Sequence, residues 1–190
     1  MASTLVLVRH GATEWSVAGR HTGTTDLPLT ADGEATARAL APVLAREPVD
    51  LVLTSPRLRA RRTAALAGFA EAVVEDDLAE WDYGDYEGLT TPQIREHVPG
   101  WTVWSHPVPG GESADEVAER LDRVVARVRS VDGRVLVFAH GHSLRVLTAR
   151  WLGLPVAEGR HFALDTATYS QLGDDRGEPV VQRWNVPASA

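Results

Sequence analysis

Three short apolar runs alternate with stretches of helical periodicity, and this alternation constrains the fold of the chain more than any other feature. The runs are TLVLV at residues 4–8, DLVLT at 50–54 and RVLVFA at 134–139. Apolar runs of this length that are rich in β-branched residues are typical of buried strands. Helical patterns lie between or after them, at residues 31–46, 57–69, 113–128 and 143–152. Such alternation favours a largely parallel sheet that is covered by helices on both faces.

Two signals in the C-terminal half complete the predicted fold. Ser113 and Glu116 have the spacing of a capping box, which predicts that a helix begins there. Residues 166–172 and 180–186 flank the turn-rich stretch GDDRGEP, which predicts a hairpin. We therefore predict an α/β fold over residues 1–190, a single-domain, three-layer α/β/α sandwich with a mostly parallel central sheet and a C-terminal hairpin.

The composition excludes several classes of function. The chain has no cysteine, and this excludes disulfides, a thiol nucleophile and thiolate metal sites. A net charge of -7 at pH 7 argues against nucleic acid as a partner. No apolar run approaches the roughly 20 residues that span a bilayer, and the first residues lack the pattern of a signal peptide. We expect a cytoplasmic protein that binds neither nucleic acid nor membrane.

Histidine, arginine and glycine follow two of the predicted strands directly. Arg9, His10 and Gly11 follow the first strand, and His140, Gly141 and His142 follow the strand at residues 134–139. Ligands of open α/β sheets bind beyond the carboxyl ends of the strands. A neutral imidazole is a nucleophile, a neighbouring guanidinium can bind a phosphoryl group by two hydrogen bonds, and glycine allows close approach. The pattern indicates phosphoryl chemistry at these strand ends.

Two further polar residues fit such a site. Arg59 opens a helix directly after the strand at residues 50–54, where backbone N–H groups and the helix dipole favour phosphate. Glu80 lies in the loop LAEWDYGDYEG. Cleavage of a phosphate ester requires a proton donor for the leaving alkoxide, and neighbouring Trp81 and Tyr83 could raise the pKa of this carboxyl for that role.

Four motifs, in this order along nearly the whole chain, resemble the histidine phosphatase superfamily in its branch similar to cofactor-dependent phosphoglycerate mutase. They are LVRHGATEW, SPRLRARRTA, LAEWDYGDYEG and VFAHGHS. The resemblance implies that His10 is the nucleophile and that Glu80 is the proton donor. It also implies that Arg9, Arg59 and a protonated His140 hold the phosphoryl oxygens. The predicted substrate-binding residues are Gly11, Ser16, Thr22, Gly23, Tyr83, Gly141 and His142.

The segment at residues 90–111 favours hydrolysis over isomerisation. Mutases of this branch carry further basic residues after the acid loop, which hold a bisphosphate cofactor, whereas this segment has only Arg95 as a fixed cation. HTGTTDLPLT, EWDYGDYEGLT and HGH also look closer to the superfamily's acid phosphatases and sugar-bisphosphatases. We predict a phosphatase that acts on small-molecule phosphate monoesters, with sugar phosphates or bisphosphates among the candidates, through a phosphohistidine and without metal or cofactor.

Three alternatives remain open. The chain could be a phosphoglycerate mutase, or a member of the superfamily that keeps the fold without the chemistry. It could also be a metal hydrolase, because it has seven histidines, although no HExxH pattern occurs and the arginines would repel a cation. We expect His21, His97, His106 and His161 to be surface or supporting residues, with His106 able to face the substrate. The sequence also leaves open a homodimer.

Overall fold

A six-stranded sheet forms the centre of the computed structural model, which describes residues 3–188. Its strands are β1 (Thr4–Arg9), β2 (Leu51–Thr54), β3 (Val73–Val74), β4 (Arg134–Ala139), β5 (Thr168–Asp175) and β6 (Glu178–Pro187). Their order is β3-β2-β4-β1-β5-β6, in which the first four strands run parallel to one another and β5 pairs antiparallel with both β1 and β6. The mostly parallel sheet and the C-terminal hairpin are both confirmed.

Seven α-helices surround this sheet within the described residues. They are α1 (Glu14–Val17), α2 (Ala31–Ala39), α3 (Ala41–Leu44), α4 (Leu58–Leu66), α5 (Thr91–His97), α6 (Ala114–Arg129) and α7 (Gly141–Trp151). Short 3-10 helices occur at Asp76–Leu78, Gly84–Tyr86 and Val156–His161. Ser113 caps α6 by a hydrogen bond from the Glu116 N–H, and Glu116 accepts in return from Ser113, as the capping-box spacing predicts.

The predicted helix over residues 31–46 is two helices in the structure. It is interrupted at Leu40, and α3 begins just before Pro42. Proline has no N–H to donate within a helix, and its ring disturbs the preceding turn, so it is tolerated only near a helix start. Helices α1 and α5 and strand β3 lie in segments for which the sequence predicted no regular structure.

Two hydrophobic clusters pack on the opposite faces of the sheet. Leu5, Leu7, Val135 and Val137 face α6 and α7, whereas their neighbours Val6, Val8, Leu136 and Phe138 face α3 and α4. This alternation follows from the two-residue period of side chains along a strand. Helices therefore cover both faces, which confirms the three layers. No helix within residues 3–188 combines the length and apolar composition needed to cross a membrane.

Candidate active site

The parallel pairing of β1 with β4 brings the two histidine motifs together. Arg9 pairs with Ala139 in the register of these central strands, and the His10 N–H donates to the Ala139 carbonyl. His10 and His140 consequently leave the sheet side by side. Their ring centroids are 5.2 Å apart.

A single hydrogen bond fixes the tautomer of His10. Its Nδ1 lies 2.7 Å from the Gly11 carbonyl oxygen, which can only accept, so the proton is on Nδ1 and Nε2 carries the lone pair. Burial, together with the charges of Arg59 and Arg9, lowers the pKa of His10 well below its usual value. The ring is therefore neutral at physiological pH, which is the form in which Nε2 is a nucleophile.

The guanidinium of Arg9 lies beside His10 with an unused donor. It packs against Gly141, and Nη1 donates to the Leu164 carbonyl. Its Nε is buried and has no hydrogen-bond partner among the described residues. Burial lowers the pKa of Arg9, and the charge of Glu80 opposes that shift. A buried cationic N–H without an acceptor is unfavourable, so this donor favours an anionic ligand in the site.

Arg59 binds protein groups on every one of its nitrogens. Nε donates to His140 Nδ1 at 3.1 Å, Nη1 to the Thr25 carbonyl at 3.0 Å and Nη2 to the Thr22 carbonyl at 2.8 Å. The side chain is fully buried. In this structure Arg59 orients His140 and the loop that follows α1. A contact from its remaining Nη1 hydrogen to a phosphoryl oxygen stays a prediction.

His140 is neutral, and the prediction that it is protonated is wrong. A guanidinium only donates, so Nδ1 of His140 must accept from Arg59 and cannot carry a proton. The proton is on Nε2, which donates to Ser55 Oγ at 2.6 Å. Burial and the charge of Arg59 lower the pKa of His140 well below its usual value. Both ring nitrogens are therefore engaged within the protein, and Ser55 is a site residue that the sequence did not indicate.

Backbone N–H groups hold the carboxylate of Glu80. Oε1 accepts from the N–H groups of Trp81 and Ser143, and Oε2 accepts from His142 at 3.0 Å. Two of these donors belong to the first turn of α7, where helix N–H groups have no partner within the helix. The two acceptor positions of Oε1 are thus filled, whereas Oε2 keeps one free. Oε2 is the atom at which Glu80 can hold a proton.

Arg9, His10 and Glu80 line a cavity of about 180 Å³ at the carboxyl ends of the strands. The predicted residues that line it are Arg9, His10, Ser16, Thr22, Glu80, Tyr83, Gly141 and His142. The lining also includes residues that the sequence did not assign to the site, namely Gly19, Arg20, His21, Arg145 and Leu164. The predicted residues Gly11, Gly23, Arg59 and His140 do not line it.

The two glycines that do not line the cavity make close contacts with protein backbone instead. A Cβ atom on Gly11 would lie 2.4 Å from the Gly33 carbonyl oxygen, and one on Gly23 would lie 2.5 Å from that of Trp81. Glycine is therefore needed at both positions for packing, and the prediction that Gly11 and Gly23 bind the substrate stays a prediction. His106 binds Ser105 within its own loop and does not line the cavity either.

A wall of neutral rings, formed by His21, Tyr83 and His142, lines part of the cavity. The Tyr83 hydroxyl lies 2.5 Å from His142 Nδ1, and the His21 ring packs on Tyr83 with centroids 4.7 Å apart. Burial lowers the pKa of His21 to about 4 and that of His142 well below its usual value. Burial also raises the pKa of Tyr83. At neutral pH this wall is uncharged.

Comparison with known proteins agrees with the geometry. The family model described as the histidine phosphatase superfamily (branch 1) matches residues 5–187. The chain belongs to this superfamily. It is 47% identical over 177 residues to an acid phosphatase of Mycobacterium tuberculosis, covering 91% of this chain and 87% of that protein. It is 38% identical over 184 residues to sedoheptulose 1,7-bisphosphatase of Saccharomyces cerevisiae, covering 80% and 68%.

A solved structure of an open-reading-frame product from Mycobacterium tuberculosis has the same fold, with a TM-score of 0.93, 43% identity and 98% coverage of both chains. As a member of the histidine phosphatase superfamily, the protein has its nucleophile candidate at the end of the central strand β1. Within residues 3–188 there is no group of three or more side chains that could together hold a metal ion.

Proposed function

We propose that this histidine phosphatase hydrolyses small-molecule phosphate monoesters through a phosphohistidine formed on His10 Nε2. The observation that carries the proposal is the Nδ1 hydrogen bond to Gly11, which leaves a neutral Nε2 beside the unused donor of Arg9. The acid phosphatase and the bisphosphatase among the relatives support hydrolysis. The cavity of about 180 Å³ lies below the roughly 300 Å³ at which sites for drug-sized ligands begin, so a compact alcohol fits best.

In the first step, the lone pair of His10 Nε2 forms a bond to phosphorus while the bond to the ester oxygen breaks. Glu80 transfers the proton on Oε2 to that oxygen, and the alcohol leaves. The hydrogen bond from Nδ1 to Gly11 stabilises the positive charge that develops on the ring. Arg9 stabilises the negative charge on the equatorial phosphoryl oxygens. Arg59, which does not line the cavity, adds to this stabilisation through its positive charge.

In the second step, the Glu80 carboxylate removes a proton from water while the water oxygen forms a bond to phosphorus. The bond from phosphorus to Nε2 breaks, and its electron pair returns to His10. Inorganic phosphate leaves, with His10 again neutral and Glu80 again protonated. One ester and one water thus give one alcohol and one phosphate, with no net change in the protein.

Trapping the intermediate tests this mechanism. Phosphohistidine survives in alkali, so denaturation in base during turnover, followed by peptide mass spectrometry, should place the phosphate on the peptide that contains His10. His10→Ala should abolish both the label and turnover. His106→Ala is the matched control, because this imidazole lies outside the cavity, and it should keep both. Turnover in His10→Ala, or a label on His140, would contradict the mechanism.

Phosphoglycerate isomerisation is the competing activity. No residue of the segment 90–111 lines the cavity, and Arg95 donates to the Trp101 carbonyl within that segment. This segment therefore supplies no cation to retain a bisphosphate, which supports water as the acceptor. Phosphate release from phosphoglycerate should exceed isomerisation when both are measured in the same reaction. Faster isomerisation, with or without added bisphosphate, would favour a mutase.

Hydrolysis should also proceed without a divalent ion, because Arg9 and Arg59 supply the positive charge that a metal provides in other phosphatases. Exhaustive chelation should leave kcat and KM unchanged. Activity that is lost on chelation and restored by one added divalent ion would contradict this part of the proposal.

A further inference from the structure

Arg59 is a buried cation whose hydrogen-bond acceptors are neutral. It donates to the carbonyl groups of Thr22 and Thr25 and to the His140 ring. A carbonyl group carries only a partial negative charge, so it stabilises a cation less than a carboxylate does. It becomes a stronger acceptor when the N–H of the same peptide group donates to an anion, because hydrogen bonds in a chain polarise one another. The acceptors of the N–H groups in the loop at residues 22–25 therefore affect Arg59.

The carboxylate of Glu87 accepts from the N–H groups of this loop. Oε1 accepts from Gly23 and Thr25, each at 3.0 Å, and Oε2 accepts from Gly23 at 2.9 Å. The Gly23 N–H and the Thr22 carbonyl belong to one peptide group, in which they point in opposite directions. This peptide group therefore lies between the Glu87 carboxylate and the Arg59 guanidinium, and its dipole is aligned with both charges.

Backbone contacts hold Glu87 next to the loop. The Gly88 N–H donates to the His21 carbonyl, and the His21 N–H donates to the Leu89 carbonyl, each at 2.9 Å. These bonds join the segment that follows Glu87 to the segment that precedes the loop. A Cβ atom on Gly23 would lie 3.0 Å from Glu87 Oε2, so glycine at this position lets the carboxylate approach the backbone closely.

We infer that Glu87 is a positioning residue of the active site, which holds Arg59 and Thr22 in place through its hydrogen bonds to the backbone of the loop at residues 22–25. Glu87 does not line the cavity, whereas Thr22 does, so Glu87 acts on the reacting groups through this backbone. Arg59 in turn orients His140 by its hydrogen bond to Nδ1. The inference rests on the proposed function, because it assigns to Glu87 the placement of groups that serve hydrolysis.

Two conservative substitutions separate the reach of the Glu87 side chain from its charge. Glu87→Gln loses the charge but keeps Oε1, which can accept from both N–H groups. Glu87→Asp keeps the charge, but its side chain is shorter by one methylene group and withdraws the carboxylate from the loop. Glu87→Ala removes every acceptor. If hydrogen bonds to the loop hold Arg59 in place, Glu87→Gln should retain more activity than either of the other two variants.

Steady-state kinetics with an alkyl phosphate measures these losses. A misplacement of about 1 Å can cost about 10²-fold in rate, so kcat/KM should fall by roughly 10- to 100-fold in Glu87→Ala and Glu87→Asp. Glu87→Gln should stay within about fivefold of wild type, since only its amide nitrogen beside the Gly23 N–H is unfavourable. Glu116→Ala is the matched control, because it also removes a carboxylate that accepts from a backbone N–H, that of Ser113. It should leave kcat/KM unchanged.

The tautomer of His140 is a readout that does not depend on activity. In wild type the proton is on Nε2 and Nδ1 accepts from Arg59, so long-range 1H–15N NMR spectra should show two nitrogens with well-separated chemical shifts. In Glu87→Ala and Glu87→Asp a displaced Arg59 no longer holds this tautomer, and the two shifts should move toward each other. Glu116→Ala should give the wild-type spectrum. His140→Gln assigns the signals by their loss.

Three results would overturn the inference. They are a wild-type kcat/KM in both Glu87→Ala and Glu87→Asp, a loss in Glu87→Gln as large as in Glu87→Ala, and unchanged His140 shifts in the variants. The loop keeps its attachment to α4 in every variant, because Asp26 Oδ1 accepts from the Leu58 N–H at 2.8 Å. If Glu87→Ala does not fold, Glu87→Asp and Glu87→Gln still decide. If the wild-type protein hydrolyses no phosphate ester, the proposed function is contradicted, and the His140 spectra still test the role of Glu87.

Discussion

The candidate active site has two regions, a reacting end around His10 and a distal end around His21 and Arg145, and they are built in different ways. At the reacting end, which comprises His10, Glu80 and His140, side chains follow strands directly or bind backbone groups of β1, β4 and α7. At the distal end, which comprises His21, Trp104 and Arg145, the side chains are positioned mostly by each other and by a loop. The reacting end is therefore positioned by backbone groups, whereas the distal end depends on contacts between a few side chains. This difference suits a fold that keeps one chemistry and varies the alcohol.

The largest expected effect lies at the reacting end. Glu80→Gln keeps a carbonyl oxygen for the Trp81 and Ser143 N–H groups, places an amide nitrogen opposite the His142 N–H, and removes the proton that the carboxyl transfers. We expect kcat/KM for an alkyl phosphate to fall by about 10²- to 10⁴-fold, because general acid catalysis contributes that much. An aryl phosphate has a better leaving group and should lose much less. The ratio of the two losses is the measurement, and equal losses would mean that Glu80 only supports the structure.

Ser55 should show the next largest effect. Ser55→Ala removes the acceptor of the His140 Nε2–H and leaves a buried donor unpaired, which costs about 1–3 kcal/mol. We expect both a lower free energy of unfolding in urea and a lower kcat. Ser143→Ala is a matched control, since Ser143 is equally buried but its Oγ has no hydrogen-bond partner among the described residues. A control that loses as much as Ser55→Ala would show that the hydrogen bond is not the cause.

Much of the fold and of the reacting end could be predicted because the signals are local. A buried strand, a capping box and a histidine after a strand each occupy a few consecutive residues, and backbone geometry then determines where they lie. The prediction for His140 failed for a different reason. The protonation of His140 depends on Arg59 and Ser55, which lie far from it in the sequence. Contacts between residues far apart in sequence leave no local pattern.

The distal end shows the same limit. His21 lines the cavity although it was expected at the surface or in a supporting position, and its ring contacts Tyr83 and Trp101 from other parts of the chain. One signal for Arg145 was present, because it lies three residues after His142 in a predicted helix, which places both on one face.

We expect a smaller effect on kcat/KM at Asn185, which supports the segment that accepts a hydrogen bond from Arg9. Asn185, which has a φ of 55°, accepts from the Asp165 N–H and donates to the Asp165 carboxylate. This contact holds the segment whose Leu164 carbonyl accepts from Arg9. Asn185→Ala should lower kcat/KM roughly threefold to tenfold through misplacement of Arg9, and destabilise the fold by about 1–2 kcal/mol through the left-handed backbone.

Asn185→Gly separates these two causes. Glycine adopts a positive φ without strain, so this variant should recover much of the stability while keeping the loss of activity. Recovery of full activity in Asn185→Gly would show that the side-chain hydrogen bonds do not position Arg9.

We expect the smallest effect on kcat at His21. The contribution of this residue is best measured through the free energy of unfolding. Burial lowers the pKa of His21 to about 4, against about 6.5 for an unfolded histidine, so the folded protein remains unprotonated there while the unfolded chain takes up a proton. Stability from this residue is therefore full above pH 6.5, falls as the pH decreases toward 4 and then levels. Between pH 7.5 and pH 5 the loss should be about 2 kcal/mol.

Urea unfolding of wild type and His21→Gln at these two pH values measures that contribution directly. His10, His140 and His142 also have lowered pKa values and contribute in the same direction. The free energy of unfolding of the wild-type protein should therefore fall by more than about 2 kcal/mol between pH 7.5 and pH 5. His21→Gln should lose about 2 kcal/mol less than wild type over the same interval, whereas its kcat at pH 7 should change by less than about threefold, because the ring is already neutral there.

His97→Gln, at an exposed position, is the control and should show the same loss of unfolding free energy between the two pH values as the wild-type protein. An unchanged pH dependence in His21→Gln would mean that the distal end admits a proton as readily as the unfolded chain does, and would contradict a neutral wall of His21, Tyr83 and His142.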